Sequence, residues 1–212
     1  MNKPRTRKLL ITGCGASGTR GITSIFIRGQ HPMGHENVRV AGMASWFVAA
    51  GDTKGDRPRG LKGAYGAMLA DLGPNPIVLH QVRYPLHTIS TVQRFQGNAW
   101  NWIRKYCPEV ATNDKIHNCM LYWYHWSMKA EAMASWTYRI ESLRDVWPEW
   151  CERVQHPEWI PRVDELWPIK AKLVNSKKSW YRPLSWKELE KTDAELTEKI
   201  RDLGRWYGYE IP

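Results

Sequence analysis

The sequence predicts an α/β fold in which a central, mainly parallel sheet carries helices on both faces. The apolar run KLLITG (residues 8–13) ends in glycine and precedes a helical pattern, as a strand, a loop and a helix would. A second apolar run, IVLHQV (residues 77–82), is also followed by a helical pattern. Strands that alternate with helices favour a parallel sheet whose ligand lies at the carboxyl ends of the strands.

Composition and charge indicate one globular domain, residues 1–212, that attracts anions. The chain is 42% hydrophobic and 25% charged, and 31 Lys and Arg against 21 Asp and Glu give a net charge of +10. The apolar run near the amino terminus is too short for a signal peptide or a membrane span. Four widely spaced cysteines favour reduced thiols, so we expect a cytoplasmic protein.

The elements of the amino-terminal half are predicted from apolar patterns and turn signals. We expect a helix over residues 18–28 and a short β-branched strand at residues 38–40. A glycine-rich charged loop, residues 51–63, is a candidate mobile lid, and a helix over residues 64–72 precedes the second strand. Pro85 suits the first position of the next helix.

The carboxyl-terminal half is predicted to be mainly helical. Apolar residues at helical spacing predict a long helix over residues 113–135, and residues 136–141 (WTYRIE) alternate as a strand does. Residues 170–182 are strongly basic and form a second candidate mobile loop. Two capping boxes start the closing helices, which end at Gly208 and carry one apolar stripe: Ser185 with Glu188, Thr192 with Glu195, and the stripe Leu196, Ile200, Leu203 and Tyr207.

Thirteen tryptophans are interpreted mainly as core residues, with stacking on a ligand as the alternative.

The loop after the first strand is a candidate anion site. In TGCGASGTR the backbone N–H groups of residues 16–20 point from a turn into a helix and are suited to an oxyanion; a glycine-rich turn without a ligand is the alternative. Arg20 follows Thr19 where a nucleotide-binding loop has Gly-Lys-Ser/Thr, and the second strand ends without Asp. A ligand that needs no metal therefore fits better than Mg-ATP.

Four segments resemble those of the sulfotransferase family. TGCGASGTR is similar to its 5′-phosphosulfate loop, VRYPLHTISTV to its 3′-phosphate motif, YRIESL to its R-Y-E-D-L segment, and residues 184–210 to its closing helices. The resemblance implies a P-loop NTPase-like three-layer sandwich. It also implies transfer of a sulfuryl group from 3′-phosphoadenosine 5′-phosphosulfate to a hydroxyl or amine, with 3′-phosphoadenosine 5′-phosphate as product and no metal.

The resemblance also implies which residues bind this donor. The 5′-phosphosulfate would be held by the loop residues Gly15, Ala16, Ser17, Gly18, Thr19 and Arg20. Arg83 would pair with the 3′-phosphate, together with a hydroxyl that is Thr91 or its neighbour Ser90. An ordinary surface ion pair is the alternative for Arg83.

The chain departs from the family at Ala16, where many members have Lys or Arg. That cation stabilises the bridging oxygen as it becomes anionic, so the charge must be neutralised in another way. Candidate substitutes are basic residues of the loops: Arg20, Lys177, Lys178 and Arg182. A solvated basic loop is the alternative for the last three.

A catalytic base is predicted in HPMGHE (residues 31–36). This segment resembles one that ends in a catalytic glutamate in some family members, which here is Glu36; His35 is the alternative base, and a polar turn without a catalytic role is the third interpretation.

Three other functions stay open. They are a small P-loop kinase of a nucleoside or metabolite, a non-enzymatic basic module that binds polyanions, and a nucleotide-binding relative with little activity. The acceptor is left open among carbohydrate, lipid, peptide and small molecule. The order of the four motifs argues against nucleic acid as the partner.

Overall fold

The structure is a computed structural model that describes residues 7–50, 70–167 and 182–212. Its centre is a five-stranded, all-parallel sheet with the strand order β2-β3-β1-β4-β5. The strands are β1 (Leu9–Thr12), β2 (Gly34–His35), β3 (Gly42–Ala44), β4 (Ile77–Val82) and β5 (Trp136–Arg139). The predicted α/β class with a parallel sheet is confirmed.

The helices of the described residues connect and cover these strands. They are α1 (Thr19–Arg28), α2 (Pro85–Val92), α3 (Gly97–Tyr106), α4 (Lys115–Met133), α5 (Trp147–Arg153), α6 (Val163–Leu166), α7 (Trp186–Thr192) and α8 (Ala194–Trp206). Two 3₁₀ turns, Phe47–Ala50 and Pro157–Arg162, complete the described elements. Helix α2 begins at Pro85, as predicted.

Each face of the sheet has its own apolar core, because successive strand residues point to opposite faces. Ile11 packs with Phe26 of α1 and Trp150 of α5 on one face. Leu10 belongs to the core of the other face, which Trp123 of α4 and Ile200 of α8 complete. The predicted helices on both faces are therefore confirmed, and the molecule is a three-layer sandwich.

Strand β1 lies at the point where the strand order reverses. The chain continues from β1 to β2 and β3 on one side of it and later to β4 and β5 on the other. In open parallel sheets a ligand binds outside the carboxyl ends of the strands at this switch point. The loop that follows β1, residues 13–18, lies there and is called the β1–α1 loop below.

Two local predictions are wrong. Residues 38–40 form no strand; the short strands β2 and β3 flank them. Thr192 is the last residue of α7 and not a cap, since its hydroxyl donates to the Glu188 carbonyl and Asp193 caps α8 by accepting from the Leu196 amide. The capping box of Ser185 and Glu188 is confirmed.

Several predictions fall outside the described residues. They concern the candidate lid at residues 51–63, the helix at residues 64–72 apart from its last three positions, and the basic loop at residues 170–182 apart from Arg182.

Most tryptophans serve the core, as predicted. The buried ones are Trp46, Trp100, Trp102, Trp123, Trp126, Trp147, Trp150 and Trp159, whereas Trp206 is 75% exposed. The four cysteines are free and buried.

Candidate functional site

The β1–α1 loop turns sharply and passes close to the end of β4. Ala16 and Gly18 adopt left-handed backbone conformations, with φ of 72° and 98°. A Cβ atom at Gly13 would lie only 2.2 Å from the Gln81 carbonyl oxygen, so this position requires glycine. The path of the loop therefore depends on the two glycines that the sequence places at its ends.

Three side chains from other elements hold the loop in place. The Gln81 amide donates to the Ser17 carbonyl at 2.7 Å, and the Arg83 guanidinium donates to the Ala16 carbonyl at 3.1 Å. The Tyr122 hydroxyl accepts a hydrogen bond of 2.8 Å from the Gly15 amide. The Tyr138 hydroxyl in turn donates to the Gln81 side chain at 2.8 Å. The loop is thus fixed from β4, β5 and α4 together.

These contacts determine which predicted amides can bind an anion. The Gly15 amide donates to Tyr122 and the Ser17 amide to the Cys14 carbonyl, so both are occupied. Four amides have no acceptor among the described residues: those of Ala16, Gly18, Thr19 and Arg20. They are the loop groups that remain to hold an oxyanion.

Helix α1 has no acidic group of its own at its amino terminus. It has no side-chain cap and no acidic residue in its first turn, and the Gly18 carbonyl accepts the first helical hydrogen bonds. The buried Ser17 hydroxyl has no hydrogen-bond partner in the described part of the chain. It lies close to Gly13, where a Cβ atom would be 3.2 Å from it. A free hydroxyl and free amides at the positive end of a helix dipole form a site suited to phosphate or sulfate.

Positive side chains gather around the same loop. Arg20 is exposed in the first turn of α1. Arg94 follows α2, and burial together with the charge of Arg20 lowers its pKa. With Arg83 bonded to the loop, three arginines favour an anionic ligand here.

Ser90 and Thr91 on α2 are buried and donate back into their own helix. The Ser90 hydroxyl donates to the Leu86 carbonyl and accepts from the Leu184 amide at 2.9 Å. The Thr91 hydroxyl donates to the His87 carbonyl at 2.7 Å. Neither forms a hydrogen bond with the β1–α1 loop, all of which is described, and Ser90 also anchors the segment that leads into α7.

Glu36 lies directly after β2 and is buried, with 8% of its surface exposed. The Ser45 hydroxyl donates to one of its carboxylate oxygens, and the Trp46 backbone also favours its charged form. The other oxygen has no hydrogen-bond partner among the described residues. Burial raises the pKa of Glu36 to about 7, although Ser45, Trp46 and the charge of Arg20 oppose the rise.

His35 connects this carboxyl group to the loop. Its Nε2 atom is 3.3 Å from the Thr19 hydroxyl and 3.8 Å from the free Glu36 oxygen. Burial and the nearby Arg20 charge lower the pKa of His35, so the imidazole is neutral near pH 7. The structure therefore brings Thr19, His35 and Glu36 together at the start of α1.

An aromatic cleft of about 370 Å³ opens next to Arg83. Tyr84 and Tyr209 meet edge to face in its wall, with ring centres 5.5 Å apart, and the Arg139 guanidinium lies over the Tyr209 ring. Glu141 accepts from the Tyr84 amide and from the Tyr209 hydroxyl, each at 2.9 Å. Aromatic and charged walls of this kind suit a flat heterocycle.

Lys177 and Lys178 lie outside the described residues. Arg182, the third loop cation considered above, forms an ion pair with Glu188.

Sequence reasoning missed the residues that support the site. Gln81 and Tyr122 contact the loop from 64 and 107 positions away, and a pattern of neighbouring residues does not report such contacts. Ser45 was missed because the strand before it was predicted at the wrong place. The sequence feature that could have identified Ser45 is a small hydroxyl residue at the carboxyl end of a strand.

Comparison with family models, curated proteins and solved structures gave no match for this chain. No helix in the described part of the chain is long and apolar enough to cross a membrane.

Proposed function

We propose that this protein is a sulfotransferase that uses 3′-phosphoadenosine 5′-phosphosulfate. The observation that carries the proposal is the 3.1 Å hydrogen bond between Arg83 and the Ala16 carbonyl. This bond joins the regions that follow two adjacent strands. The loop after β1 leads to the uncapped amino terminus of α1, and the residue after β4, Arg83, has a buried guanidinium. A donor with two separate anionic groups requires two such neighbouring sites.

In this proposal the phosphosulfate lies at the amino terminus of α1. The amides of Ala16, Gly18, Thr19 and Arg20 and the Ser17 hydroxyl donate to it, and the Arg20 side chain adds charge. Arg83 binds the 3′-phosphate and the adenine occupies the aromatic cleft that begins at Tyr84. Since Ser90 and Thr91 both donate within α2, either must turn its hydroxyl away from the helix to join Arg83.

Glu36 acts as the general base in the transfer step. It removes the proton of the acceptor hydroxyl or amine while the acceptor atom attacks the sulfur and the bond from sulfur to the bridging phosphate oxygen breaks in line. The negative charge passes to that oxygen, where the helix amides and Arg20 stabilise it in place of a loop lysine. A pKa of about 7 suits a base that works near neutral pH.

Ligand-dependent thermal stability tests the class of the proposal. We expect 3′-phosphoadenosine 5′-phosphate to raise Tm at concentrations at which Mg-ATP and heparin do not, because a ligand that binds the folded state stabilises it increasingly as its concentration exceeds its Kd. Stabilisation by Mg-ATP alone would support the kinase, and stabilisation by heparin alone the polyanion-binding module.

The Arg83→Ala variant tests the assignment of the 3′-phosphate. We expect it to lose on the order of 1.5 to 3 kcal/mol of affinity for 3′-phosphoadenosine 5′-phosphate, the usual size of a charge-assisted contact. Affinity for adenosine 5′-phosphosulfate, which lacks the 3′-phosphate, should change much less, as calorimetry can show.

Arg39→Ala is the matched control. It removes the same charge from an exposed position between β2 and β3, away from the carboxyl edge of the sheet. Equal losses for the two nucleotides in Arg83→Ala, or an equal loss in the control, would contradict the assignment.

A further inference from the structure

The corner between α1 and α5 contains two histidines and a glutamate that the candidate active site does not use. One possible ligand atom from each of His31, His156 and Glu158 lies within 4.8 Å of those of the others. The two imidazole rings are 4.3 Å apart, and Nδ1 of His156 lies 2.8 Å from a carboxylate oxygen of Glu158. This group is called the corner cluster below.

We propose that the corner cluster binds a divalent transition-metal ion, Zn²⁺ or one of similar preference. Two imidazole nitrogens and one carboxylate oxygen are a donor set that such ions prefer, with water as the fourth ligand. Metal-to-ligand distances of about 2.0 to 2.2 Å place the ligand atoms around one ion roughly 3 to 4 Å apart. The cluster therefore needs only small side-chain rotations to close on an ion.

The backbone holds both histidines in the same way. Two residues beyond the last residue of α1 and of α5 lies a glutamine with a left-handed backbone, Gln30 and Gln155, with φ of 62° and 64°. The amide of the histidine that follows donates back to a helix carbonyl, His31 to Phe26 at 2.9 Å and His156 to Cys151 at 2.8 Å. These are Schellman helix ends, which fix the residue after the left-handed position.

Packing fixes the His156 ring as well. It stacks on Trp159 with ring centres 4.0 Å apart and an angle of 9°, and its side chain is only 12% exposed. Trp159 approaches α1 so closely that a Cβ at Gly29 would lie 2.3 Å from its ring. A ligand held by stacking and by a fixed backbone loses little freedom when it binds a metal.

The site is also open to solvent on one side. His31 is exposed and 56% of the Glu158 side chain is exposed, so an ion can enter and a water can complete its coordination. An ion here would join the end of α1 to the start of the 3₁₀ turn Pro157–Arg162, on the face of the sheet that α1 and α5 cover. It would therefore stabilise the fold rather than take part in chemistry at the β1–α1 loop.

Calorimetry with Zn²⁺ on the full-length chain tests the proposal, after removal of any affinity tag and treatment with a chelator. We expect one ion to bind per chain and Tm to rise with Zn²⁺. Both His31→Gln and Glu158→Gln should weaken binding by at least about tenfold. His125→Gln on α4 is the matched control and should bind Zn²⁺ as the unmodified protein does.

Replacement of Zn²⁺ by Co²⁺ gives a readout of the ligands themselves. Four-coordinate Co²⁺ with nitrogen donors absorbs visible light strongly, and we expect this band in the unmodified protein and not in His31→Gln. Circular dichroism confirms that the variants are folded. The proposal is overturned if the unmodified protein binds no Zn²⁺, if His31→Gln binds it equally well, or if His125→Gln loses it to the same extent.

Discussion

Glu36 combines two properties that rarely occur together in a surface loop. It follows a strand of only two residues with a left-handed backbone, φ 57°, and its carboxyl group is nevertheless buried. The contacts from Ser45 and Trp46 favour the charged form, yet burial outweighs them and its pKa rises to about 7. Strained, buried titratable groups of this kind concentrate at functional sites.

The Glu36→Gln variant should separate binding from chemistry. If Glu36 removes the acceptor proton, turnover should fall by roughly two to four orders of magnitude while affinity for 3′-phosphoadenosine 5′-phosphate stays near that of the unmodified protein. The measurement uses labelled donor and an acceptor found by screening sugars, phenols and peptides.

The pH dependence of turnover distinguishes Glu36 from His35. A base must be deprotonated to act, so activity is lost as pH falls through its pKa. We expect the acidic limb near pH 7 if Glu36 is the base, and below pH 6.5 if His35 is, because burial lowers the pKa of His35 from its ordinary 6.5. If His35→Asn loses turnover and Glu36→Gln does not, the roles are reversed; if neither changes it more than about threefold, both assignments fail.

At the scale of elements, the β1–α1 loop is held in part by α4, a helix that lies between β4 and β5 in the chain. Tyr122 accepts from the Gly15 amide, and its ring is fully buried against Trp46 and Trp126. The loop amide has this one acceptor among the described residues, so α4 helps to shape the anion site together with β4 and β5.

The Tyr122→Phe variant tests this coupling. It removes one oxygen and leaves the Gly15 amide without its acceptor, so we expect a loss of about 1 to 3 kcal/mol in the free energy of unfolding, measured with urea. Affinity for 3′-phosphoadenosine 5′-phosphate should fall as well, since the free amides are no longer held in place. The control is Tyr124→Phe on the same helix, and a Tyr122→Phe variant as stable as this control would contradict the role.

The sequence was sufficient for the elements whose signals are local. Strand β4 and helix α4 have long apolar patterns and were predicted within two residues. Strands β2 and β3 have two and three residues, and their β-branched neighbours at residues 38–40 misled the prediction. Gly42 begins β3 because its backbone lies so close to β1 that a Cβ would be 2.0 Å from the Leu9 carbonyl, a tertiary constraint that strand propensity does not express.

The same distinction between local signals and tertiary contacts applies to the candidate site. The residues of the β1–α1 loop and Arg83 have positions that follow from strand and helix boundaries alone. The neighbours of Glu36 do not, because Ser45 reaches it only through the pairing of β2 with β3. Local patterns thus locate the groups that would contact a ligand, whereas the groups that set their pKa and orientation come from the packed sheet.

At the scale of the whole molecule, two buried groups give stability opposite dependences on pH. Burial lowers the pKa of His80 in β4 to about 3, from an ordinary value of 6.5. The unfolded chain therefore binds a proton that the folded chain does not, and stability is lost as pH falls below 6.5. Glu36 has its pKa raised from 4.5 to about 7, so the folded chain binds the extra proton and stability is lost as pH rises from 4.5 to 7.

Between pH 4.5 and 6.5 these two contributions to stability oppose each other. A variant that removes one titrating group should therefore reveal the pH dependence that the other group causes. His80→Asn keeps a polar atom for the contact with Thr137 and removes the titration, so we expect its free energy of unfolding, relative to the unmodified protein, to rise as pH is lowered from 6.5 to 4.5. Glu36→Gln should show a relative fall over the same interval. Each change should amount to about 1 to 2 kcal/mol, since a full proton difference is worth about 1.4 kcal/mol per pH unit. Urea unfolding at several pH values measures both changes. Parallel curves for His80→Asn and the unmodified protein would show that His80 gains its proton without unfolding, and that the face of the sheet beneath α8 opens to water.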